Sequence, residues 1–299
     1  MKSTLLLLAS SPLLLAGPFS PAANVAGSNA IAKDDARITR WASGVESYLP
    51  GEDVDETWQD SSNALGPATG EAFDIVCLGR GGSITLSLSE PLFDHPGPDF
   101  AVFENSFSHQ FLELAFVEVS SDGIHFTRFP NRSLTPNSVG SFGLSDPTNI
   151  DGLAGKFIGG FGTPFDLAQV SDAPNLDVQQ IRYIRLVDIA GDGSATDSSG
   201  DPIYDPYPTF GSAGFDLDAI AILDAPPLSV LGTELEADEF EVTWALDPNK
   251  SYRIYSNESL SAPWNPGETI APGSRILTRR FDLSSGRQFW QLREEAMDR

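Results

Sequence analysis

The feature that most constrains the fold is a series of short segments with strand character, separated by turn-forming residues. Segments such as SITLSLS, LAFVEVSS, YIRLVDIA and FDLDAIAIL are rich in β-branched and aromatic residues, and Gly, Pro, Asn and Asp bound them. Helical periodicity is almost absent. Some segments alternate polar and apolar residues and others are apolar on both faces, a mixture typical of two packed sheets. We therefore predict an all-β fold, an antiparallel β-sandwich.

A domain boundary is predicted near residue 225. There Pro226 and Pro227 follow the last strand of the first unit and break its pattern. The strands resume in segments such as FEVTWALD and RQFWQLRE. The sequence thus predicts a main β-sandwich domain over residues 28–225 and a second, smaller β-sandwich domain at the C-terminus, over residues 228–299.

The N-terminus predicts export. Residues 1–27 carry one basic residue, a short apolar run and then small residues, which is the pattern of a signal peptide, with cleavage expected between Ala16 and Gly27. No later stretch has the length and apolarity of a membrane span. The single cysteine, Cys77, has apolar neighbours and is predicted to be a small buried hydrophobe. We expect a secreted or cell-surface protein without internal disulfides.

Charge narrows the classes of partner. The chain has 42 acidic and 18 basic residues, a formal net charge of −24. Nucleic acids and anionic membrane surfaces would be repelled. Basic ligands, neutral glycans and divalent cations remain as partners.

Seven aspartates and no basic residue lie between Asp188 and Asp218. Carboxylates held close together repel unless water or a cation screens them, and Ca²⁺ takes six to eight oxygen ligands from such loops. The stretch has neither the EF-hand spacing nor a His or Cys for zinc. We predict a calcium site here, against the alternative of a solvated turn with scattered acids. The predicted metal ligands are Asp188, Asp192, Asp197, Asp201, Asp205, Asp216, Asp218 and Glu104.

Two residues at the end of the DFAVFEN segment are a second candidate site. Glu104 and Asn105 follow an apolar alternation and could ligate a cation or contact a ligand. An alternative of equal weight is that these residues form an exposed strand end, with Asn105 in the turn that follows. Sugar rings stack on aromatic faces while their hydroxyls need polar partners. The predicted ligand-binding residues are Trp58, Tyr204, Tyr207 and Asn105.

Several long motifs, in the same order along the chain, resemble those of a family of bacterial secreted or cell-surface proteins. The motifs are HPGPDFAVFENSF, FVEVSSDGIHFTRFP, GLAGKFIGGFGTPFDLAQV and the aspartate stretch ending in GFDLDA, and the resemblance runs from about Ile38 to Leu223. The resemblance implies a protein of this class that is secreted or lies at the cell surface. It supplies no catalytic residues.

A looser similarity is to galactose-binding-like jelly rolls, which implies a jelly-roll-like sandwich. Such modules commonly hold a structural calcium between an early loop and the last strand. The corresponding segments here are 58–70 (WQDSSNALGPATG) and Asp216 or Asp218.

The sequence therefore predicts a non-catalytic, calcium-stabilised β-sandwich that binds carbohydrate or a surface partner. A secreted hydrolase acting on polysaccharide through paired carboxylates is one alternative, since most glycosidases use two carboxyl groups. No motif of a serine, cysteine or zinc hydrolase is present, so no catalytic residue is predicted. A purely structural or adhesive protein is the other alternative.

Overall fold

A computed structural model of the chain describes residues 16–95, 97–223, 229–246, 251–259, 263–271, 273, 276–283 and 288–295. The described chain is all-β, as predicted, and its helical residues form only short 3-10 turns. These turns are Glu56–Trp58, Ser61–Ala64, Pro147–Asn149 and Leu167–Val170. The strands are β1 (Ile31–Ala32), β2 (Ile38–Trp41), β3 (Gly44–Leu49), β4 (Val76–Cys77), β5 (Ser83–Leu92), β6 (Phe100–Glu104), β7 (Ala115–Ser120), β8 (Thr127–Arg128), β9 (Arg132–Ser133), β10 (Ile150–Asp151), β11 (Phe161–Phe165), β12 (Ile181–Asp188), β13 (Asp192–Thr196), β14 (Pro202–Tyr204), β15 (Asp216–Leu223), β16 (Ser229–Glu236), β17 (Glu239–Ala245), β18 (Ser251–Asn257), β19 (Asn265–Ile270), β20 (Ile276–Asp282) and β21 (Phe289–Glu295).

Two antiparallel sheets form the main unit. One sheet has the order β1-β11-β6-β15-β2, with β4 paired to β15, and the other has the order β3-β5-β12-β7-β8. Their facing apolar side chains form one core, in which every member is buried. Full burial of each large apolar side chain contributes roughly 1.5–3 kcal/mol before entropy is counted. The central members include Leu86, Val117, Leu186, Phe100, Ile220 and Ile222.

The C-terminal strands form a smaller β-sandwich of two three-stranded sheets, β16-β17-β20 and β19-β18-β21. Their core is a separate cluster that contains Trp244, Tyr252, Ile254 and Leu277. The predicted boundary near residue 225 lies outside the described residues, so its position stays a prediction.

The described part of the N-terminal segment contacts the main sandwich. Gly17 N donates to Thr148 Oγ1 at 2.6 Å, Phe19 N donates to Thr148 O at 3.1 Å, and Ala23 is buried. Residues 1–15 of the predicted signal peptide lie outside the described residues, and the signal peptide stays a prediction. None of the described helices has the length and apolarity to cross a bilayer. Cys77 is buried and unpaired by any disulfide, as the sequence predicted.

Strand pairing brings two acidic residues to the same edge of the first sheet. Asp216, the first residue of β15, pairs with Cys77 of β4, and Leu217 pairs with Glu104, the last residue of β6. The loops that leave this edge are long, and they enclose the candidate site.

Candidate functional site

A cavity of about 490 Å³ opens at this edge of the main sandwich. Five separate parts of the chain enclose it: the 3-10 turn at Trp58 and the loops around residues 73, 107, 142 and 210. Because these parts are distant in sequence, only the folded sandwich assembles the cavity. It is lined by Trp58, Ala72, Phe73, Glu104, Asn105, Ser106, Phe107, Phe111, Glu113, Ser141, Phe142, Pro208, Thr209, Phe210, Ser212 and Asp216.

Aromatic rings form the rim of the cavity. Four phenylalanines are more than two-thirds exposed in the described part of the chain, and all four line this cavity: Phe73, Phe107, Phe142 and Phe210. Trp58 stacks on Phe73 with ring centroids 5.8 Å apart, and Phe107 stacks on Phe111 at 4.6 Å. Exposed apolar side chains gathered at one opening mark a binding surface rather than a folding requirement.

Three carboxylates form the floor. Glu104 is 2% exposed, Glu113 is 6% exposed and Asp216 is 7% exposed. Glu104 lies at the end of its strand as expected, as the last residue of β6, but the alternative of an exposed strand end is wrong for it because its side chain is buried. Asn105 is half-buried, and its Nδ2 donates to Ala72 O at 3.1 Å.

Serine side chains shape the loop between Glu104 and Glu113. Ser106 N donates to Glu104 Oε2 at 2.8 Å, and the Ser106 hydroxyl contacts the carbonyls of Ser108 and Phe111. Phe111 N donates to Ser108 Oγ at 2.8 Å. These local hydrogen bonds take the place of strand pairing, because serine side chains in turns commonly bond to nearby backbone groups. They hold Phe107 outward at the rim while Glu113 returns to the floor.

Burial makes the floor carboxyl groups weak acids. It raises the pKa of Glu113 well above its usual range, and the charges of Asp216 and Glu104 add to the rise. Burial and the charges of Asp216 and Asp218 raise the pKa of Glu104, although the Ser106 N–H opposes the rise. Burial raises the pKa of Asp216 to about 7, and a hydrogen bond with the Cys77 thiol opposes it. Perturbed carboxyl groups in a cavity are typical of functional sites.

Asp216 has an incomplete set of hydrogen bonds. Its Oδ1 is fully buried and has no hydrogen-bond partner among the described residues. A buried oxygen without a partner is costly, since it loses its water without a replacement. The Asp216 side chain lines the cavity, so its carboxylate is a group there without a full set of hydrogen bonds.

The other buried aspartates of the acidic stretch fasten loops to the sandwich. Asp188 accepts hydrogen bonds from Gly81 N at 2.8 Å and from Phe215 N at 2.7 Å. Asp205 accepts one from Leu114 N at 2.9 Å. Each carboxylate joins the acidic stretch to a distant segment of the chain, and each satisfies backbone donors that have no place in a sheet.

Two glycines make room for these carboxylates. Gly191 has a φ of +76° and Gly214 has a φ of +77°. A methyl group at Gly191 would overlap the carboxylate of Asp205, and one at Gly214 would approach Asp188 Oδ1 to 2.6 Å. Glycine is therefore required at both positions, because the backbone packs closely around a buried carboxylate at each of them.

Asp197 closes a turn inside the stretch. Its carboxylate accepts hydrogen bonds from Ser133 N at 3.0 Å, Ser199 N at 2.8 Å and Asp201 N at 3.1 Å. Arg132 lies 3.6 Å from the Asp197 carboxylate and 3.5 Å from that of Asp201. Asp192, another predicted ligand, is exposed and accepts a hydrogen bond from Ser194 N at 2.8 Å.

The loop over residues 58–70 meets the last strand of the main sandwich. Asp218 of β15 accepts hydrogen bonds from Thr69 N at 3.0 Å and Gly70 N at 2.8 Å. The contact is thus made directly by the carboxylate.

The structure brings together only some of the predicted site residues. Trp58, Asn105, Glu104 and Asp216 share the cavity. Tyr204 and Tyr207 are half-buried and lie outside its lining; Tyr207 packs under Arg80, whose guanidinium is 5.2 Å from the ring centroid.

A group of oxygens suited to a metal occurs elsewhere. Within the described ranges, Asp94, Asp99 and Asp166 are the acids whose oxygens all lie within 4.8 Å of one another, and none of them is a predicted ligand. Asp99 already accepts hydrogen bonds from His95 N and Leu167 N. The predicted calcium site stays a prediction.

Sequence reasoning missed Glu113 and the four rim phenylalanines. The signal was present: Phe107, Phe142 and Phe210 lie in segments rich in Ser, Gly and Pro, which are residues that favour turns. An apolar aromatic residue in a turn has no core to enter, so it indicates a surface site.

No protein-family model and no curated protein matches the chain. Among solved structures, the chain is similar to the crystal structure of a β-1,2-glucanase from Parabacteroides distasonis, with a TM-score of 0.25 and 13% sequence identity over 86% of this chain. The match spans only 35% of the length of that protein. At this TM-score the likeness carries no argument about function.

Proposed function

We propose that the cavity of the main sandwich binds carbohydrate without cleaving it, in a protein that acts outside the cell or at its surface. The observation that carries the proposal is the gathering of the four exposed phenylalanines and Trp58 around a floor of carboxylates. Aromatic faces offer apolar contact to the ring of a sugar, and carboxylates and Asn105 accept or donate hydrogen bonds to its hydroxyls. The predicted signal peptide supports the location.

The test is a glycan array probed with the full chain, followed by calorimetric titration of the glycans retained. The cavity variant is Phe73→Ala/Phe142→Ala, because both side chains are exposed and their loss leaves the core intact. The matched control is Ile124→Ala, which removes an exposed apolar side chain outside the cavity. Weakened binding in the double variant alone supports the proposal. Equal affinity in all three proteins contradicts it.

Hydrolysis is the second candidate function, and the floor of the cavity is the observation that favours it. Glu113 and Asp216 lie in one cavity and both have raised pKa values. A carboxylic acid protonated near neutral pH can act as the general acid of a glycosidase beside a second carboxylate. Release of reducing ends from a bound oligosaccharide, abolished in both Glu113→Gln and Asp216→Asn, would replace the binding proposal with this one.

A further inference from the structure

The lining of the cavity has an unbalanced charge. Glu104, Glu113 and Asp216 are all more than nine-tenths buried, and no lysine, arginine or histidine is among the described residues that line the cavity with them. Buried carboxylates ordinarily have a basic partner or accept several hydrogen bonds. Asp197 follows that rule, since it has Arg132 nearby and accepts three backbone hydrogen bonds.

Asp216 supplies the second, independent observation. Its Oδ1 is buried without a hydrogen-bond partner among the residues that the structure describes, although the side chain lines the cavity. Asp188, only slightly less exposed, accepts bonds with both of its oxygens. A ligand that donates a hydrogen bond to Asp216 would remove this cost. If the donor is positively charged, it would also favour the ionised form of the neighbouring acids.

The spacing of the floor carboxylates favours an organic cation over a bare metal ion. Their oxygens do not form a trio within 4.8 Å of one another, a distance that only Asp94, Asp99 and Asp166 meet in the described ranges. Ca²⁺ holds its oxygens at 2.3–2.6 Å and gathers six to eight of them. A protonated amine can donate to a single carboxylate and leave its other N–H groups to different acceptors, so it does not require the three carboxylates to converge. The aromatic rim agrees with this, because ring faces attract organic cations.

We infer that the carbohydrate taken by this cavity carries a protonated amino group, which donates to the carboxylate of Asp216 on the floor that Glu113 and Glu104 share. The inference rests on the proposed carbohydrate binding and names its ligand class: an amino sugar with a free amine. The sugar ring contacts Trp58 and Phe73, and the ammonium group supplies the positive charge that the lining lacks.

The test compares two oligosaccharides that differ in the charged group alone. Hexamers of β-1,4-linked glucosamine and of β-1,4-linked glucose are titrated calorimetrically into the full chain at the same pH and salt. We expect the amino hexamer to bind at least about tenfold more tightly, the scale of a charge-assisted hydrogen bond. Asp216→Asn keeps the size of the side chain and should lower this preference about tenfold, with binding of the neutral hexamer little changed. Glu113→Gln should lower it in the same direction.

The control variant is Asp172→Asn, which removes one exposed charge outside the cavity and outside the predicted calcium site. It should keep the preference. If Asp172→Asn and Asp216→Asn reduce the preference equally, the net charge of the protein causes it and the inference is wrong. Equal affinity of the wild-type protein for both hexamers also overturns the inference but leaves the carbohydrate proposal standing. Binding of neither hexamer, with no other glycan retained on the array, overturns both.

Discussion

The rings of Trp58 and Phe73 are nearly parallel, with their planes 17° apart and their centroids at 5.8 Å. Trp58 is half-buried at the end of a 3-10 turn, whereas Phe73 is 80% exposed on the loop that precedes β4. The indole thus holds a solvent-exposed ring in place at the mouth of the cavity. An exposed ring held in this way loses little conformational freedom when a sugar contacts it.

The first prediction concerns this pair. Trp58→Ala should weaken glycan binding more than Phe73→Ala, because it removes one contact surface and releases the other. We expect a roughly tenfold loss of affinity, given that an aromatic contact contributes about 0.5–1.5 kcal/mol beyond its buried area. Calorimetric titration measures it, and thermal melting of both variants checks that the fold is intact. A Trp58→Ala variant that folds and binds as the wild type does would contradict the role of the pair.

The second prediction concerns pH. Asp216 has a pKa of about 7 in the folded protein and an ordinary value near 4 when unfolded. Between these values the folded state holds a proton that the unfolded state has released. The free energy of unfolding therefore falls as pH rises from about 4 to about 7, by at most about 1.4 kcal/mol per pH unit for this group.

Urea unfolding at pH steps across this window measures the slope. Asp216→Asn lacks the titrating group, so its stability should fall less steeply between pH 4 and 7. The exposed Asp192 has a lowered pKa, so Asp192→Asn should leave the slope in this window unchanged. Parallel curves for the wild type and Asp216→Asn would show that Asp216 is ionised throughout.

The third prediction concerns the room left for buried aspartates. Gly191→Ala would force a methyl group into the carboxylate of Asp205, whereas Gly200 has a φ of +88° and nothing within 4 Å. Gly200→Ala therefore carries only the cost of the backbone conformation, about 1–2 kcal/mol. Gly191→Ala should destabilise by at least about 2 kcal/mol more. Equal losses in denaturant unfolding would contradict the close packing around Asp205.

The fourth prediction is the calcium site, which rests on the sequence. The melting temperature of chelator-treated protein should rise when calcium is added, and Asp192→Asn/Asp201→Asn should abolish the rise. An Asp94→Asn variant separates this site from the trio of Asp94, Asp99 and Asp166. If only Asp94→Asn abolishes the rise, the ion binds at the trio. If calcium changes nothing, hydrogen bonds and Arg132 alone stabilise the acidic stretch.

The sequence predicts the fold well because strand character is local. Alternation, β-branched residues and dense turn signals identify the two sandwiches, and the apolar neighbours of Cys77 predict its burial. Four of the predicted site residues meet in the cavity. Asp216 and Glu104 could be singled out because they are acidic residues at the ends of apolar strand segments.

What the sequence could not supply is long-range pairing. Glu113 reaches the floor because Ser106 and Ser108 fold its loop back, and no local pattern reveals that return. Burial of Glu104 depends on the same loop. Likewise, the aspartates looked like a set of cation ligands because their backbone donors, such as Leu114 N and Thr69 N, lie about 90 to 150 residues away in sequence.

The most direct measurement is a crystal structure of the full chain with a glycan that the array retains. Carbohydrate binding in the cavity predicts a sugar ring in van der Waals contact with Trp58 or Phe73, and a nitrogen or oxygen atom of the ligand within 3.2 Å of a carboxylate oxygen of Asp216. A glycan bound elsewhere with the cavity filled by water alone, for instance on the C-terminal unit beside Tyr255 and Trp264, would contradict it.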